Sequence, residues 1–229
     1  TSTGVSLGSD PWSYGPQGQT KMVGLTGAPY EFVHSSGGIF RGGSAYGIAG
    51  NGDVFGNNLM YSPTGDTVGM EAWVYRASTG THELLSLRGP GYEAAYPGGP
   101  IAWHTAVSST DRDGRAVLLA SRRGPGQYYY ESLGHDIWFY HGAGSPEIIS
   151  LTGGVYEYTT QSGGVYREAT SLPIGSAGVR GSNERYTTTG ESLGRDDWFY
   201  DGSGPSQVYR LTGSQYQYTH ASGGVFRGP

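Results

Sequence analysis

Glu131-Ser-Leu-Gly-His-Asp-Ile-Trp-Phe-Tyr140 returns further along the chain as Glu191-Ser-Leu-Gly-Arg-Asp-Asp-Trp-Phe-Tyr200. Weaker copies are Val5-Ser-Leu-Gly-Ser-Asp-Pro-Trp-Ser-Tyr14 and Asp66-Thr-Val-Gly-Met-Glu-Ala-Trp-Val-Tyr75. The tryptophans at the shared position lie 61, 65 and 60 residues apart, and they are Trp12, Trp73, Trp138 and Trp198. A fixed period of this length indicates an array of similar units, each of which buries its apolar face only against a neighbour.

The strand that carries each tryptophan has large side chains on both faces. Alternate residues of a strand share a face, so Asp136, Trp138 and Tyr140 point one way and Ile137 and Phe139 point the other. Large residues on both faces indicate stacked sheets, because a one-sided surface sheet would alternate apolar and polar residues. The Ser-Leu-Gly segment before each such strand is expected to form a turn, and the glycine-rich segment after it is expected to form a hairpin turn.

A second signature, Ser-Gly-Gly-apolar-aromatic-Arg, ends 29 residues after the tryptophan in three units, at Arg41, Arg167 and Arg227. With the glycine-rich turns, it predicts about four short strands in each unit of about 60 residues, which is typical of a β-propeller blade. We therefore expect an all-β, propeller-like array of four repeats, with a β-solenoid or open stacked sheets as the alternative. The single repeat domain covers residues 1–229, with units 5–65, 66–130, 131–190 and 191–229, the last one incomplete.

A Trp-x-Tyr strand, a following Asp-Gly turn as at Asp201-Gly202, and a strand like Asn51-Gly-Asp-Val54 together resemble the blade-like repeats of bacterial exported proteins. The HAF-type extracellular repeats are among these. The resemblance implies an exported, propeller-like protein and implies no catalytic residues. The units of this chain are longer than typical HAF-type units, and they carry the additional Gly-Gly-Val-aromatic-Arg ending.

Composition excludes several classes of function. A net charge of −5, with 14 Lys and Arg residues, argues against a nucleic-acid surface, which needs clustered basic side chains. No apolar run approaches the roughly 18 residues of a membrane span, so we expect none. The absence of cysteine excludes disulfides and thiolate metal sites. These features, with the resemblance above, lead us to expect an extracellular or cell-surface location.

An acid occupies the same position in every unit, two residues before the tryptophan: Asp10, Glu71, Asp136 and Asp196. These acids could form a ring that binds a cation or a sugar, or they could accept structural hydrogen bonds beside the strand. The repeated arginines could pair with the acid of a neighbouring unit or stack on its aromatic rings. A residue repeated in every unit usually serves the unit, so we expect structural roles for the acids, the tryptophans and the arginines.

Features that are not repeated are the better candidates for a binding site. We assign a ligand-binding role to Trp103, His104, Tyr128, Tyr129 and Tyr130, whose aromatic rings could stack on sugars. Asp111 and Asp113 resemble the start of a calcium loop but lack its later ligands, so they are a weak Ca²⁺ candidate. We expect no other metal and no cofactor.

The sequence contains no catalytic constellation, so we expect a protein that is not an enzyme. Our first hypothesis is an exported structural or assembly protein, such as a filament or surface-layer subunit. Because unit four ends before the strands that follow in the other units, we expect an open blade edge and head-to-tail self-association. The alternative is a carbohydrate-binding propeller of lectin type, with one shallow glycan site in each unit.

Overall fold

The computed structural model describes residues 6–15, 18–96, 101–124 and 132–227. The described residues form β-strands joined by turns, and the one helical element among them is a 3-10 turn at Gly154–Tyr156. The prediction of an all-β protein is therefore confirmed.

The strands up to residue 96 are β1 (Gly8–Ser9), β2 (Trp12–Tyr14), β3 (Thr20–Met22), β4 (Glu31–Val33), β5 (Ile39–Ile48), β6 (Val54–Tyr61), β7 (Thr67–Arg76), β8 (Thr81–Leu84) and β9 (Glu93–Ala95). The strands after residue 100 are β10 (Ile101–Trp103), β11 (Thr105–Thr110), β12 (Ala116–Arg123), β13 (Ser132–Tyr140), β14 (Glu147–Ile148), β15 (Tyr158–Thr159), β16 (Val165–Ser171), β17 (Val179–Tyr186), β18 (Ser192–Tyr200), β19 (Gln207–Tyr209), β20 (Gln217–Thr219) and β21 (Val225–Arg227).

Three antiparallel sheets of four strands repeat along the chain. The first sheet is β5–β8, the second is β11–β14 and the third is β16–β19. The hairpin β2–β3 holds the same place as the last two strands of a sheet, because Trp12 pairs with Met22 as Trp73 pairs with Leu84. Each four-stranded sheet therefore combines the last two strands of one sequence unit with the first two strands of the next unit.

The sheets stack face to face, as the alternation around Trp138 predicts. Tyr140 and Leu118 of the second sheet are buried against Phe55 and Val74 of the first sheet. Phe139 and other residues of the opposite face are buried against the third sheet. We call each such contact a junction. A further junction joins the hairpin β2–β3 to the first sheet, where Val23 and Leu25 pack on Val54, Trp73 and Tyr75.

Parallel strand pairing also links consecutive sheets. Gly134 of β13 pairs with Arg167 of β16, and the same pairing recurs between Gly194 and Arg227. A Cβ atom on Gly134 would lie 1.7 Å from the carbonyl oxygen of Arg167, and the φ of Gly134 is +81°. The Ser-Leu-Gly segment is thus part of strand β13 and not the turn expected from the sequence, because glycine there permits a close approach of two backbones.

The described residues make an open series of stacked sheets, none of which closes into a barrel. This is the alternative architecture named from the sequence. A ring of propeller blades remains a hypothesis, since the strands described here do not show one.

Candidate functional site: acid clusters and two exposed faces

Each repeated acid lies at the centre of a cluster of hydrogen bonds. The best developed cluster surrounds Asp136, which is fully buried on β13. Arg167 of the third sheet donates to both oxygens of Asp136, with nitrogen-to-oxygen distances of 2.9 and 2.8 Å. Arg122 of the second sheet donates over 3.0 Å, and the hydroxyl of Tyr92 donates over 2.7 Å. One carboxylate thus ties together three consecutive segments of the chain.

The clusters of Asp196 and Asp10 have the same plan. Arg227 contacts Asp196 at 3.3 Å, and Arg185 contacts it at 3.4 Å. Arg41 contacts Asp10 at 3.4 Å. Each repeated arginine therefore pairs with the acid of its own sequence unit, which lies on the preceding sheet or hairpin. The expectation that it would pair with the acid of a neighbouring unit is wrong, because the strands of one unit are divided between two consecutive sheets.

The cluster of Glu71 differs because unit two has no arginine at the repeated position. Trp103 stands there, and its indole N–H donates to Glu71 Oε2 over 3.0 Å. Positive charge comes instead from Arg88, which is 3.4 Å from Glu71 and lies over the ring of Trp103 at 4.1 Å from the ring centre. Tyr30 donates to the same oxygen over 3.1 Å.

The two buried acids have opposite electrostatic surroundings. Burial raises the pKa of Asp136, but the hydrogen bond and charge of Arg167, with Tyr92 and Arg122, outweigh it and hold that pKa below its ordinary value. Burial also raises the pKa of Glu71, and there it exceeds the opposing effects of its neighbours, so the net shift is upward. Asp136 is therefore a stable anion in an ion-pair network, whereas the charge on Glu71 is poorly compensated.

A tyrosine in each connecting loop links one sheet to the acid of the next. Tyr30 reaches Glu71, Tyr92 reaches Asp136, and Tyr156 reaches Asp196 over 2.9 Å. Burial, followed by the hydrogen bond and charge of Asp196, raises the pKa of Tyr156 to about 12, so this hydroxyl keeps its proton as a donor at neutral pH. Tyr216 is the fourth member of the series and has no such acid among the described residues.

In two of the sheets, the repeated tryptophan donates to an asparagine of the neighbouring strand, a role that was not predicted from the sequence. The indole N–H of Trp73 donates to Asn58 Oδ1, and that of Trp198 donates to Asn183 Oδ1, both over 2.8 Å. The recurring Gly-x-Asn pattern at 56–58 and 181–183 could have revealed this role. Ala120 stands at that place in the second sheet, and the buried Trp138 Nε1 has no hydrogen-bond partner among the residues that the structure describes.

The candidates that are not repeated do not converge on one site. Trp103 is buried against Glu71, as described above. His104 follows it in the sequence, and burial, followed by the charge of Arg123, lowers the pKa of His104. Trp103 contacts Glu71 and Arg88, whereas His104 is influenced by Arg123, so the two side chains do not form one site. Tyr128, Tyr129 and Tyr130 lie outside the described residues. A ligand-binding role for this set stays a prediction.

Asp111 forms a turn with its neighbours. One carboxylate oxygen accepts from the backbone N–H groups of Asp113 and Arg115, and the other accepts from the Arg115 guanidinium over 2.6 Å. Within the described residues, no group of three or more His, Asp or Glu side chains is placed to hold a metal ion.

The face of the hairpin β2–β3 that turns away from the first sheet is aromatic and exposed. We call it the first face. Trp12 is 63% exposed and Tyr14 is 75% exposed. The residues at the same positions of the three sheets point into a junction, where Trp73 and Trp198 are buried and Trp138 is half-buried. The first face therefore shows the side chains that the inner sheets bury.

The outer side of the third sheet is also exposed, and we call it the last face. It carries a cleft of about 780 Å³ lined by residues that include Arg180, Asp197, Phe199 and Tyr209. The register of the strands places Val117, Ile137, Phe139 and Ile149 at the equivalent positions of the second sheet, where all four are buried in a junction. Arg180 and Asp197 thus stand where the second sheet has Val117 and Ile137, whereas Phe199 and Tyr209 keep the aromatic or apolar character of an inner junction.

No protein-family model, curated protein or solved structure matches this chain. Among the residues that the structure describes, no helix has the length and apolar character needed to cross a membrane.

Proposed function

We propose that this protein is a non-enzymatic structural protein of an exported assembly, at the cell surface or outside the cell, whose subunits associate through their exposed sheet faces. The observation that carries the proposal is the chemistry of these faces. Trp12 and Tyr14 on the first face, and Phe199 and Tyr209 on the last face, hold positions whose counterparts are mostly buried in three internal junctions.

The acid clusters support a role without catalysis. Asp136 and Asp196 are buried and each contacts two or more arginines, so neither is free to act as a proton donor or nucleophile on a substrate. Asp136 binds arginines of the second and third sheets, and Asp196 binds Arg185 of the third sheet and Arg227 of β21. Each acid therefore holds consecutive segments of the stack together. A general acid or base would need reach to a substrate proton.

Light scattering coupled to size-exclusion chromatography at micromolar concentrations tests the proposal. We expect an average mass above the 24.3 kDa of one chain that increases with loading concentration. A mass of one chain at every concentration would contradict it.

A second candidate function, glycan binding, is favoured by the cleft of the last face. Aromatic rings beside charged and hydroxyl groups, as at Phe199, Tyr209, Asp197 and Ser182, are suited to the apolar and polar sides of a sugar ring. The equivalent positions of the inner sheets are buried. This candidate therefore predicts one site at the last face, and not one site in every unit.

A glycan array followed by calorimetry with the wild type and the Tyr209→Ala variant tests this second candidate. Binding of one glycan per chain that is lost in the variant would support it. Binding of several glycans per chain, or binding that the variant leaves unchanged, would contradict it.

A further inference from the structure

Resting on the proposed function, we infer that the partner of the last face is the first face of a second copy of this chain, docked in the register of the internal junctions. Trp12 and Tyr14 of one copy would enter the cleft beside Phe199 and Tyr209 of the other. The inference extends an interface that the chain already builds three times.

The internal junctions define the apolar part of this contact. At the junction between the second and third sheets, Trp198 and Tyr200 pack with Ile137, Phe139 and Ile149 in one buried cluster. Trp12 and Tyr14 occupy the places of Trp198 and Tyr200 on the hairpin, because each tryptophan pairs with the strand that follows it in the same register. The second copy therefore supplies the two rings that an internal junction uses.

The polar substitutions on the last face suit these incoming rings. Arg180 and Asp197 are exposed and flank Phe199. A guanidinium can stack on an indole, and a carboxylate can accept from an indole N–H. Trp12 offers both a ring face and an N–H, so it matches a cleft that carries charge as well as aromatic surface.

Two hydrogen bonds recur at the internal junctions. For each of them, one of the two faces carries a residue at the donor position and the other face carries a residue at the acceptor position. The first is the bond from a loop tyrosine to the next acid. Tyr216 holds the tyrosine position and is 47% exposed, while Asp10 holds the acid position and contacts Arg41 but no tyrosine within the described part of the chain. Tyr216 of one copy would donate to Asp10 of the next, as Tyr156 donates to Asp196 within the chain.

The second unmatched bond joins the tyrosine that ends a Trp-containing strand to the preceding sheet. Tyr140 bonds to Glu83 over 2.9 Å, Tyr200 bonds to Glu147, and Tyr75 bonds to Lys21. The register places Gln207 at the position of Glu83 and Glu147, and it places Tyr14 at the position of the tyrosines. Gln207 and Tyr14 should therefore meet between copies.

Site-directed cross-linking tests the register directly, because the chain has no native cysteine. The Tyr14→Cys/Gln207→Cys variant is treated with a short bis-maleimide reagent at a concentration where the wild type associates. We expect a ladder of covalent oligomers on a denaturing gel. Each single variant should give at most dimers.

A matched control places the first cysteine on the opposite side of the same strand. Ser13 lies between Trp12 and Tyr14 and points away from the first face, so the Ser13→Cys/Gln207→Cys variant should lose the ladder. The Lys21→Cys/Tyr75→Cys variant, whose wild-type side chains touch within one chain, shows that the reagent spans such a pair.

The outcomes separate this inference from the proposed function. A wild type that stays a single chain by light scattering would overturn both. A wild type that associates while the Tyr14→Cys/Gln207→Cys variant associates without a ladder would overturn the inference alone. Equal ladders from the Tyr14 and Ser13 variants would also overturn it, since the contact would then have no defined register.

Discussion

At the residue scale, the same position of the repeat holds acids in two different environments. Asp136 faces the buried Arg122, the largely buried Arg167 and a tyrosine, whereas Glu71 faces Trp103, Tyr30 and the half-exposed Arg88. A buried ion pair that loses one partner leaves an uncompensated charge, which costs far more than the pair itself contributes. The two acids should therefore respond in opposite ways to neutralisation.

We expect the Asp136→Asn variant to lose about 3–5 kcal/mol of stability at pH 7, because Arg122 and Arg167 then lack their anion. The pKa of Asp136 is lowered in the folded protein, so its contribution is present above the ordinary value of 3.8 and is lost as the pH falls through the lowered pKa. Denaturant unfolding should show a difference from wild type that is full at pH 7 and shrinks in acid. An equal difference at all pH values would contradict this account.

The matched variant Glu71→Gln should keep or gain stability at pH 7. The pKa of Glu71 is raised in the folded protein, so wild-type stability decreases as the pH rises from 4.5 through the raised pKa. The amide keeps an oxygen that can accept from Tyr30 and Trp103. A loss as large as that of Asp136→Asn would show that Glu71 acts as a compensated anion.

The asparagine that accepts from a buried tryptophan gives a second test at this scale. The Asn183→Ala variant would leave the indole N–H of Trp198 and the backbone N–H and C=O of Leu151 without their partner. We expect a loss of roughly 2–3 kcal/mol in thermal or denaturant unfolding, since unpaired buried polar groups carry a desolvation cost. Ser182→Ala, one residue away and on the opposite face, is the control and should change little.

At the scale of elements, the glycine of the Ser-Leu-Gly segment allows a strand of one sheet to pair in parallel with a strand of the next sheet. The Gly134→Ala variant would place a methyl group against the Arg167 carbonyl. Gly144 has a similar φ of +77° but open space around it. We expect Gly144→Ala to cost about 1–2 kcal/mol from backbone strain, and Gly134→Ala to cost a further 1–3 kcal/mol or so from overpacking. Equal melting temperatures for the two variants would contradict the close approach.

The local sequence pattern predicted the strands well. Features that depend on contacts between residues far apart in the sequence could not be predicted from it. The alternation around Trp138 predicted burial on both faces because a strand has a period of two residues. The repeated arginines were expected to pair with the acid of a neighbouring unit, but each pairs with the acid of its own unit, since the period alone does not fix which acid is close. The replacement of arginine by Trp103 and Arg88 could not be predicted, because Arg88 has no counterpart in the repeat.

The division of the sheets could not be predicted from the repeat either. The repeat begins at the Trp-containing strand, yet each sheet begins two strands earlier, at β5, β11 or β16. A sequence period fixes the length of the repeating unit but not where one sheet ends and the next begins. That boundary depends on which strands form hydrogen bonds across the glycine-rich turns.

At the scale of the whole molecule, the stack exposes large apolar and aromatic side chains on two faces. The last face carries Arg180 and Asp197 beside Phe199 and Tyr209, and Leu211, close to Tyr209, is 66% exposed. On the first face, Trp12 and Tyr14 are both exposed.

We propose above all that the first face packs on the last face of another copy, as each inner Trp-containing strand packs on the preceding sheet or hairpin of the same chain. Sedimentation velocity of the wild type and of Trp12→Ala, over the same range of micromolar concentrations, tests it most directly. Trp12 is exposed, so its replacement should leave the fold intact. Tyr46→Ala, at another exposed aromatic residue, is the control. We expect concentration-dependent growth for the wild type and for Tyr46→Ala, and a chain of 24.3 kDa for Trp12→Ala. Identical sedimentation of all three proteins would contradict the claim.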